Sequence, residues 1–281
     1  MLKLVEFVLW NNCPNNCSFC YLKNSYQSTI DDMMSSISSV DDCIKSINKD
    51  SSVLLTGGEM FVNLTDEVYE KLLNLYKNIY SNNYIKIIYF NTNLIYDINK
   101  YLVKALDLAN ELGALEKLHF TTSDDFVGRF NDNSRKLFYK NIGLLREKYP
   151  NLNIIVNSIL TKKFCEEILS GRYNILDYCN KYKVRVNVLP YINFNNIDEY
   201  VPEKNDVIKS LLILRKQNPE WFDGFVDIYT RPRDMVVYEY DHINNKLKDS
   251  TASFSKCKHP VNSLHCFKDG TCFGCLLQSL K

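Results

Sequence analysis

The chain has 281 residues and a formal net charge of +1, with 46% hydrophobic and 24% charged residues. These values are ordinary for a folded protein with a full core, and they exclude a disordered or low-complexity chain. The near-zero net charge gives no general attraction to nucleic acid or to an anionic membrane. The unusual feature is the ten cysteines, too few for a disulfide scaffold of this length and too many for packing alone.

The N-terminal segment does not look like a targeting signal. Its apolar run, from Met1 to Trp10, contains a lysine and a glutamate, and no small-residue cleavage site follows it. No apolar stretch reaches the roughly 18 residues that a membrane span needs. We therefore expect a cytoplasmic protein whose cysteines are reduced, and clustered reduced cysteines favour metal ligation over disulfides.

Short apolar runs alternate with amphipathic segments along most of the chain. Between these runs, apolar residues recur at helical spacing, with Thr65 predicted to cap a helix that extends to Ser81. The alternation predicts six βα units and an α/β fold, either a partial (β/α)6 TIM-like barrel or an open doubly wound sheet. The strand-like runs are residues 4–10, 53–55, 85–90, 117–120, 154–160 and 184–189.

The pattern changes after about residue 222. Residues 226–229 and 235–240 are predicted to form strands, after which helical periodicity ends and cysteines become dense. We therefore divide the chain into a core of residues 1–225 and a small Cys-rich, metal-binding C-terminal extension of residues 226–281.

Three cysteines follow the first predicted strand within eight residues: Cys13, Cys17 and Cys20. A cubane 4Fe–4S cluster takes a thiolate at each iron, so three local thiolates would leave the fourth iron open for a ligand. Alternatively, a distant fourth cysteine would complete a structural cluster or a zinc site. Spacing alone leaves both interpretations open.

The spacing Cys13-x3-Cys17-x2-Cys20, with the aromatic Phe19 before the third cysteine, resembles the signature of the radical S-adenosylmethionine (SAM) superfamily. The resemblance implies that these cysteines hold a 4Fe–4S cluster whose unique iron binds SAM. It also implies that the backbone near Phe19 contacts the adenine. A partial barrel is the fold expected for such a protein.

A second similarity lies at the end of the second strand, where Gly57, Gly58 and Glu59 match the family's Gly-Gly-Glu motif. Glycines let the backbone approach a ligand closely. The resemblance implies that this segment binds the amino group of SAM.

Polar residues at later strand ends are further candidates for SAM contacts. Asn91 lies in a segment similar to the family's Thr-Asn-Gly, with Leu94 in place of the glycine. Ser123 follows the fourth predicted strand, and Asn157 lies within the fifth. Arg129 is a candidate partner for a carboxylate. Ligands of parallel α/β folds bind at the carboxyl ends of strands, which these residues share.

The other seven cysteines divide into two groups. Four C-terminal thiols are spaced to hold a second 4Fe–4S cluster, similar to the auxiliary clusters of SPASM or twitch domains, or a Zn²⁺ ion with His259 or His265 as substitute ligands. The other three fall on apolar faces and are predicted to be buried packing residues. The C-terminal set is Cys257, Cys266, Cys272 and Cys275, and the packing set is Cys43, Cys165 and Cys179.

The resemblance implies reductive cleavage of SAM to a 5′-deoxyadenosyl radical, followed by hydrogen abstraction from a substrate. An external donor such as flavodoxin or ferredoxin would supply the electron. A peptide is the first expectation for the substrate, and a nucleoside or other small metabolite comes next. Two alternatives are a glycyl-radical-enzyme activating protein and a non-catalytic zinc-binding module.

Overall fold

The computed structural model of the chain describes residues 3–15, 17–20, 26–191, 197–230, 235–241, 244, 246–249 and 280. Within these residues the strands are β1 (Lys3–Trp10), β2 (Ser51–Gly57), β3 (Ile85–Asn91), β4 (Leu118–Ser123), β5 (Asn153–Leu160), β6 (Arg185–Pro190), β7 (Met235–Asp241) and β8 (Lys246–Asp249). The α-helices are α1 (Ile30–Ser46), α2 (Asp66–Ser81), α3 (Leu102–Glu111), α4 (Asp132–Lys148), α5 (Lys162–Leu169), α6 (Ile175–Tyr182), α7 (Lys204–Gln217) and α8 (Pro219–Thr230).

The strands form one sheet in the order β6-β5-β4-β3-β2-β1-β7-β8. Strands β1 to β6 are all parallel, and each strand pairs with the one before it in the chain, as in a run of βα units. This is the partial TIM-like barrel that the alternation predicted, and the six predicted strand runs are confirmed.

Local sequence signals set where the helices begin. The Thr65 hydroxyl accepts a hydrogen bond from the Val68 backbone at 3.2 Å, which confirms the predicted cap of α2. At α1, Thr29 and Asp32 form a reciprocal capping box that satisfies two amide groups of the first turn.

The two faces of the sheet differ in what covers them. Val5, Phe7 and Leu9 of β1 are at most 6% exposed and pack with helix side chains in one core. The alternate residue Glu6 points to the opposite, inner face and remains partly exposed. The helices therefore cover the outer face, and the inner face lines an accessible lumen.

One strand prediction is wrong. Residues 226–229 belong to helix α8, which Asn218 caps by accepting a hydrogen bond from the Trp221 amide at 3.0 Å. Pro219 occupies the first helical position, where its missing N–H costs nothing. Phe222 and Val226, one helical turn apart, are both fully buried, so helical packing overrides the strand preference of this aromatic and β-branched run.

Strand β7 confirms the prediction of a strand at residues 235–240. It pairs parallel to β1, with Leu4 opposite Met235, and β8 then returns antiparallel to β7. The proposed boundary at residue 225 falls within α8, and β7 extends the sheet of the core. The division into two units stays a prediction.

The three packing cysteines differ in burial. Cys165 is 2% exposed, as predicted. Cys43 and Cys179 are half-buried at the margin of the core and not fully buried, because both lie on the solvent-facing borders of their helices, α1 and α6.

Candidate iron–sulfur and SAM site

The cysteine loop follows β1 directly. Cys17 is 6% exposed, while Cys13 and Cys20 are half-buried, and the Cys20 amide donates to the Cys17 carbonyl at 3.1 Å to close a tight turn. Burial raises the pKa of Cys13 to about 11, and the two neighbouring thiols add to the rise. Burial likewise raises the pKa of Cys17. The three thiols are close enough to influence one another electrostatically, as ligands of one cluster must be.

The turn after β2 is bonded to the cysteine loop through the backbone. The Gly58 amide donates to the Trp10 carbonyl at 2.7 Å, and the Glu59 amide donates to the Asn12 carbonyl at 2.8 Å. A Cβ on Gly58 would lie 2.0 Å from the Asn12 oxygen, and Gly57 has a φ of +133°. Only glycine allows this approach, so the structure explains both glycines of the motif.

Asn12 also fastens the far end of the loop, a role that the sequence analysis missed. Its side-chain oxygen accepts from the Ser28 amide at 2.6 Å, and its side-chain nitrogen donates to the Ser28 carbonyl at 2.8 Å. Two hydrogen bonds thus join Asn12 and Ser28, the residues on either side of the cysteine loop. No sequence signal identifies it, because the two partners are 16 residues apart.

The Glu59 carboxylate turns away from the cysteine loop toward the end of β3. It is 2% exposed and accepts hydrogen bonds from the Thr92 hydroxyl at 2.8 Å and the Asn93 amide at 2.7 Å. In this arrangement its side chain orders the loop after β3. A contact between Glu59 and the amino group of SAM stays a prediction.

We expect Glu59 to make folding stability fall with rising pH. Burial raises its pKa from 4.5 to about 7, and the bonds from Thr92 and Asn93 oppose this only in part. The folded chain therefore keeps the proton to a higher pH than the unfolded chain, so stability is lost between pH 4.5 and 7, by about 3 kcal/mol. Urea unfolding of the metal-free protein across this range should show a weaker pH dependence for Glu59→Gln than for wild type. The exposed-site control Glu111→Gln should follow wild type, and equal slopes for Glu59→Gln and wild type would refute the assignment.

The segment after β4 covers the cysteine loop from another side. The Ser18 amide donates to the Gly128 carbonyl at 3.1 Å, and the Phe19 ring lies against Gly128, where a Cβ would meet it at 2.7 Å. The Arg129 guanidinium lies over the same ring, 5.4 Å from its centroid. Phe19 is 7% exposed in this packing.

Arg129 is held by Asp125, a second residue that the sequence analysis missed. The Arg129 Nε donates to the Asp125 carboxylate at 2.5 Å, and the other oxygen of Asp125 accepts from the Ile159 amide at 2.9 Å. Burial lowers the pKa of Arg129, but the charges of Asp125 and Cys17 outweigh this, so the net direction is upward. The two residues lie four apart in the loop after β4, outside any helix, so the helical spacing rule does not identify the pair from the sequence. Arg129 therefore presents a fixed positive charge to the cysteine loop.

The predicted polar residues share the inner face at the carboxyl end of the sheet. Ser123 is the register partner of Asn157, and Asn91 is that of Thr121, whose hydroxyl also bonds the Asn91 side chain. Asp124, beside Ser123, points the other way and accepts hydrogen bonds from the hydroxyl groups of Tyr139 and Tyr178. The structure thus brings Asn91, Ser123 and Asn157 to one edge and leaves Asp124 among the helices.

The C-terminal metal-site candidates, Cys257, Cys266, Cys272 and Cys275, lie outside the described residues, as do His259 and His265. In the part of the chain that the structure describes, no three His, Cys, Asp or Glu side chains converge on a point suited to a single metal ion. None of the described helices combines the length and hydropathy of a membrane span.

Comparisons with known proteins agree with this site. The family described as a 4Fe–4S single cluster domain matches residues 4–141, which include the cysteine loop and the glycine turn. A search of curated protein sequences finds no significant match.

Similar solved structures include native anSMEcpe with bound AdoMet and Cp18Cys peptide, with a TM-score of 0.55, 18% identity, and coverage of 80% of this chain and 65% of that one. Hexahistidine-tagged anSMEcpe with bound AdoMet has a TM-score of 0.60 and 17% identity over 94% of this chain and 78% of that one. Streptococcus suis SuiB bound to S-adenosylmethionine has a TM-score of 0.52 and 15% identity over 89% of this chain and 63% of that one. Such identities establish a likeness of fold.

The stretch that matches the 4Fe–4S single cluster domain thus contains the three-cysteine loop at the end of the first strand of a six-stranded partial barrel. The Gly-Gly-Glu turn bonded to that loop lies within the same matched stretch.

Proposed function

We propose that the chain is an enzyme in which Cys13, Cys17 and Cys20 hold a 4Fe–4S cluster that binds and reductively cleaves SAM. The observation that carries the proposal is the bonding of the cysteine loop to the turn of Gly57, Gly58 and Glu59. The residues fit the group, since the loop offers three thiols that form no disulfide and the glycines let the neighbouring turn approach the loop closely.

Held by Cys13, Cys17 and Cys20, a reduced cluster would supply the single electron needed to break a C–S bond of SAM, which would yield methionine and a 5′-deoxyadenosyl radical able to take a hydrogen atom from the substrate. An external donor such as flavodoxin or ferredoxin provides the electron, and reduced thiols suit a cytoplasmic location. The chain's own residues bind the cluster and SAM and orient them. Phe19 and Arg129 shield the loop, while Asn91, Ser123 and Asn157 offer polar contacts to SAM at the mouth of the barrel.

A peptide is the substrate class that we propose. Its support is a solved structure of similar fold, anSMEcpe, whose name records bound AdoMet together with a peptide. The partly exposed inner face gives such a substrate room to enter the lumen.

We assign a second metal site to Cys257, Cys266, Cys272 and Cys275, with a 4Fe–4S cluster favoured over Zn²⁺. Four thiolates satisfy either group. Metal analysis of anaerobically purified protein separates the two: about eight irons per chain support a second cubane, whereas about four irons with zinc refute it.

The test of the proposed function is anaerobic reconstitution with iron and sulfide, followed by dithionite and SAM. We expect release of methionine and 5′-deoxyadenosine, measured by chromatography and mass spectrometry. Protein that holds no iron, or that holds a cluster and releases no 5′-deoxyadenosine, would overturn the proposal.

A further inference from the structure

The inner face of the sheet carries titratable side chains well below the mouth of the barrel. The strand register places Glu6 of β1 opposite Leu54, Leu54 opposite Tyr89, and Tyr89 opposite His119. Register partners lie on the same face of a sheet, so these four residues form one row across the lumen. We call this set the lumen row.

The lumen row is polar where a closed barrel would be apolar. A full TIM barrel fills its interior with bulky branched side chains, whereas Glu6, Tyr89 and His119 all remain partly exposed here. The rings of Tyr89 and His119 meet edge to face, with centroids 5.2 Å apart. The row is therefore partly accessible from the inner face of the sheet.

Glu6 has no partner of its own in the described part of the chain. Among the described residues, neither a hydrogen bond nor an ion pair reaches its carboxylate, and burial raises the pKa of Glu6 to about 7. On the inner face of β1 to β6, every residue of which the structure describes, Glu6 is the only carboxylate. A partly desolvated carboxylate without donors costs free energy, which a bound cation would recover.

The other charged groups of the lumen lie across from Glu6. Burial and the nearby Arg185 both lower the pKa of His119, which favours its neutral form. Arg185 begins β6 and is exposed. A cationic group in the lumen is therefore bound most favourably beside Glu6 on β1. The side chains of His119 and Tyr89 offer it uncharged hydrogen-bonding atoms on the other side.

The depth of the lumen row limits the shape of the ligand. The row one step nearer the mouth holds Val8 with Thr56, and Asn91 with Thr121. Glu6 precedes Val8 by two residues, which corresponds to about 7 Å along a strand. A group that reaches Glu6 from a backbone held at that row needs an unbranched stem of about this length.

We propose that the lumen row is the specificity site for the substrate and that Glu6 binds an ammonium or guanidinium group carried on an unbranched stem, as in a lysine or arginine side chain of a peptide. This inference rests on the proposed function, since it assigns the substrate class of the same site. Its test measures binding, so it does not depend on turnover.

The experiment compares two probes with equal stems, Nα-acetyl-lysine methylamide and Nα-acetyl-norleucine methylamide, by anaerobic calorimetry with the reconstituted, SAM-loaded protein. We expect the lysine probe to bind wild type at least about tenfold more tightly, because a buried charge pair is worth that much or more. Glu6→Gln should abolish the preference, and Glu6→Asp should keep part of it. The surface control Glu70→Gln should match wild type.

Equal affinity of wild type for the two probes would overturn the inference without any variant being needed. A preference for lysine that persists in Glu6→Gln would overturn the role of Glu6. Iron content and 5′-deoxyadenosine release without a probe are measured on the same samples. Loss of these in wild type would count against the proposed function, whereas their retention with no probe preference would count against the lumen row alone.

Discussion

Replacing Cys17 by alanine is expected to remove the iron–sulfur cluster and to reduce 5′-deoxyadenosine formation to background. Cys17 is the most buried of the three thiols in the loop, at 6% exposure, and the nearby charge of Arg129 favours its thiolate form. A cubane deprived of one of three protein ligands loses its hold on the chain, so iron should fall by about four atoms per chain. Iron analysis, the visible absorption of the cluster and the SAM-cleavage assay measure the result.

Cys165→Ala is the matched control for this substitution. Cys165 is also buried, at 2% exposure, but it lies in α5 among core side chains. Its removal should cost about 1 kcal/mol of stability for the lost packing and leave the iron content unchanged. If both variants lost iron equally, the loss would reflect packing, and the ligand assignment would be wrong.

Much of the barrel could be predicted because its signals are local. Each strand run is apolar and short, and a helix begins where a residue such as Thr65 can cap it. The failure at α8 has the opposite cause. Residues 226–229 favour a strand by composition, yet their neighbours Asn218 and Pro219 start a helix whose apolar face fits the core. Intrinsic preference is a weak influence when tertiary packing opposes it.

The parts of the candidate site that could be predicted are those formed by residues close together in the sequence. The cysteine loop and the glycine turn are each short motifs, and the register brings them together as expected. The hydrogen bonds that hold these motifs in place were not predictable. Asn12 bonds Ser28, and Glu59 bonds Thr92, and each pair is brought together only when the sheet has formed. The lack of a partner for Glu6 could not be predicted either, since it depends on which residues face Glu6 from other strands.

A second large effect, on both stability and iron content, is expected from a substitution in the glycine turn. Gly58→Ala would place a Cβ 2.0 Å from the Asn12 oxygen and 2.5 Å from the Asn12 carbon. These contacts are with backbone atoms that cannot rotate away, so the turn and the cysteine loop must separate and the 2.7 Å bond to Trp10 must lengthen. We expect a loss of about 2–3 kcal/mol in unfolding free energy, with poor iron incorporation. Urea unfolding and iron analysis test both effects.

Gly143→Ala gives the matched comparison, because it makes the same chemical change at a site without neighbours. Gly143 lies exposed within α4, and a Cβ there meets nothing within 4 Å. Alanine should stabilise that helix by about 0.5–1 kcal/mol, since it loses less backbone entropy on folding than glycine. The two glycine variants should therefore shift stability in opposite directions, and only Gly58→Ala should lose iron. A Gly58→Ala protein with wild-type stability and full iron would show that the loop does not need the close backbone approach on which the site is built.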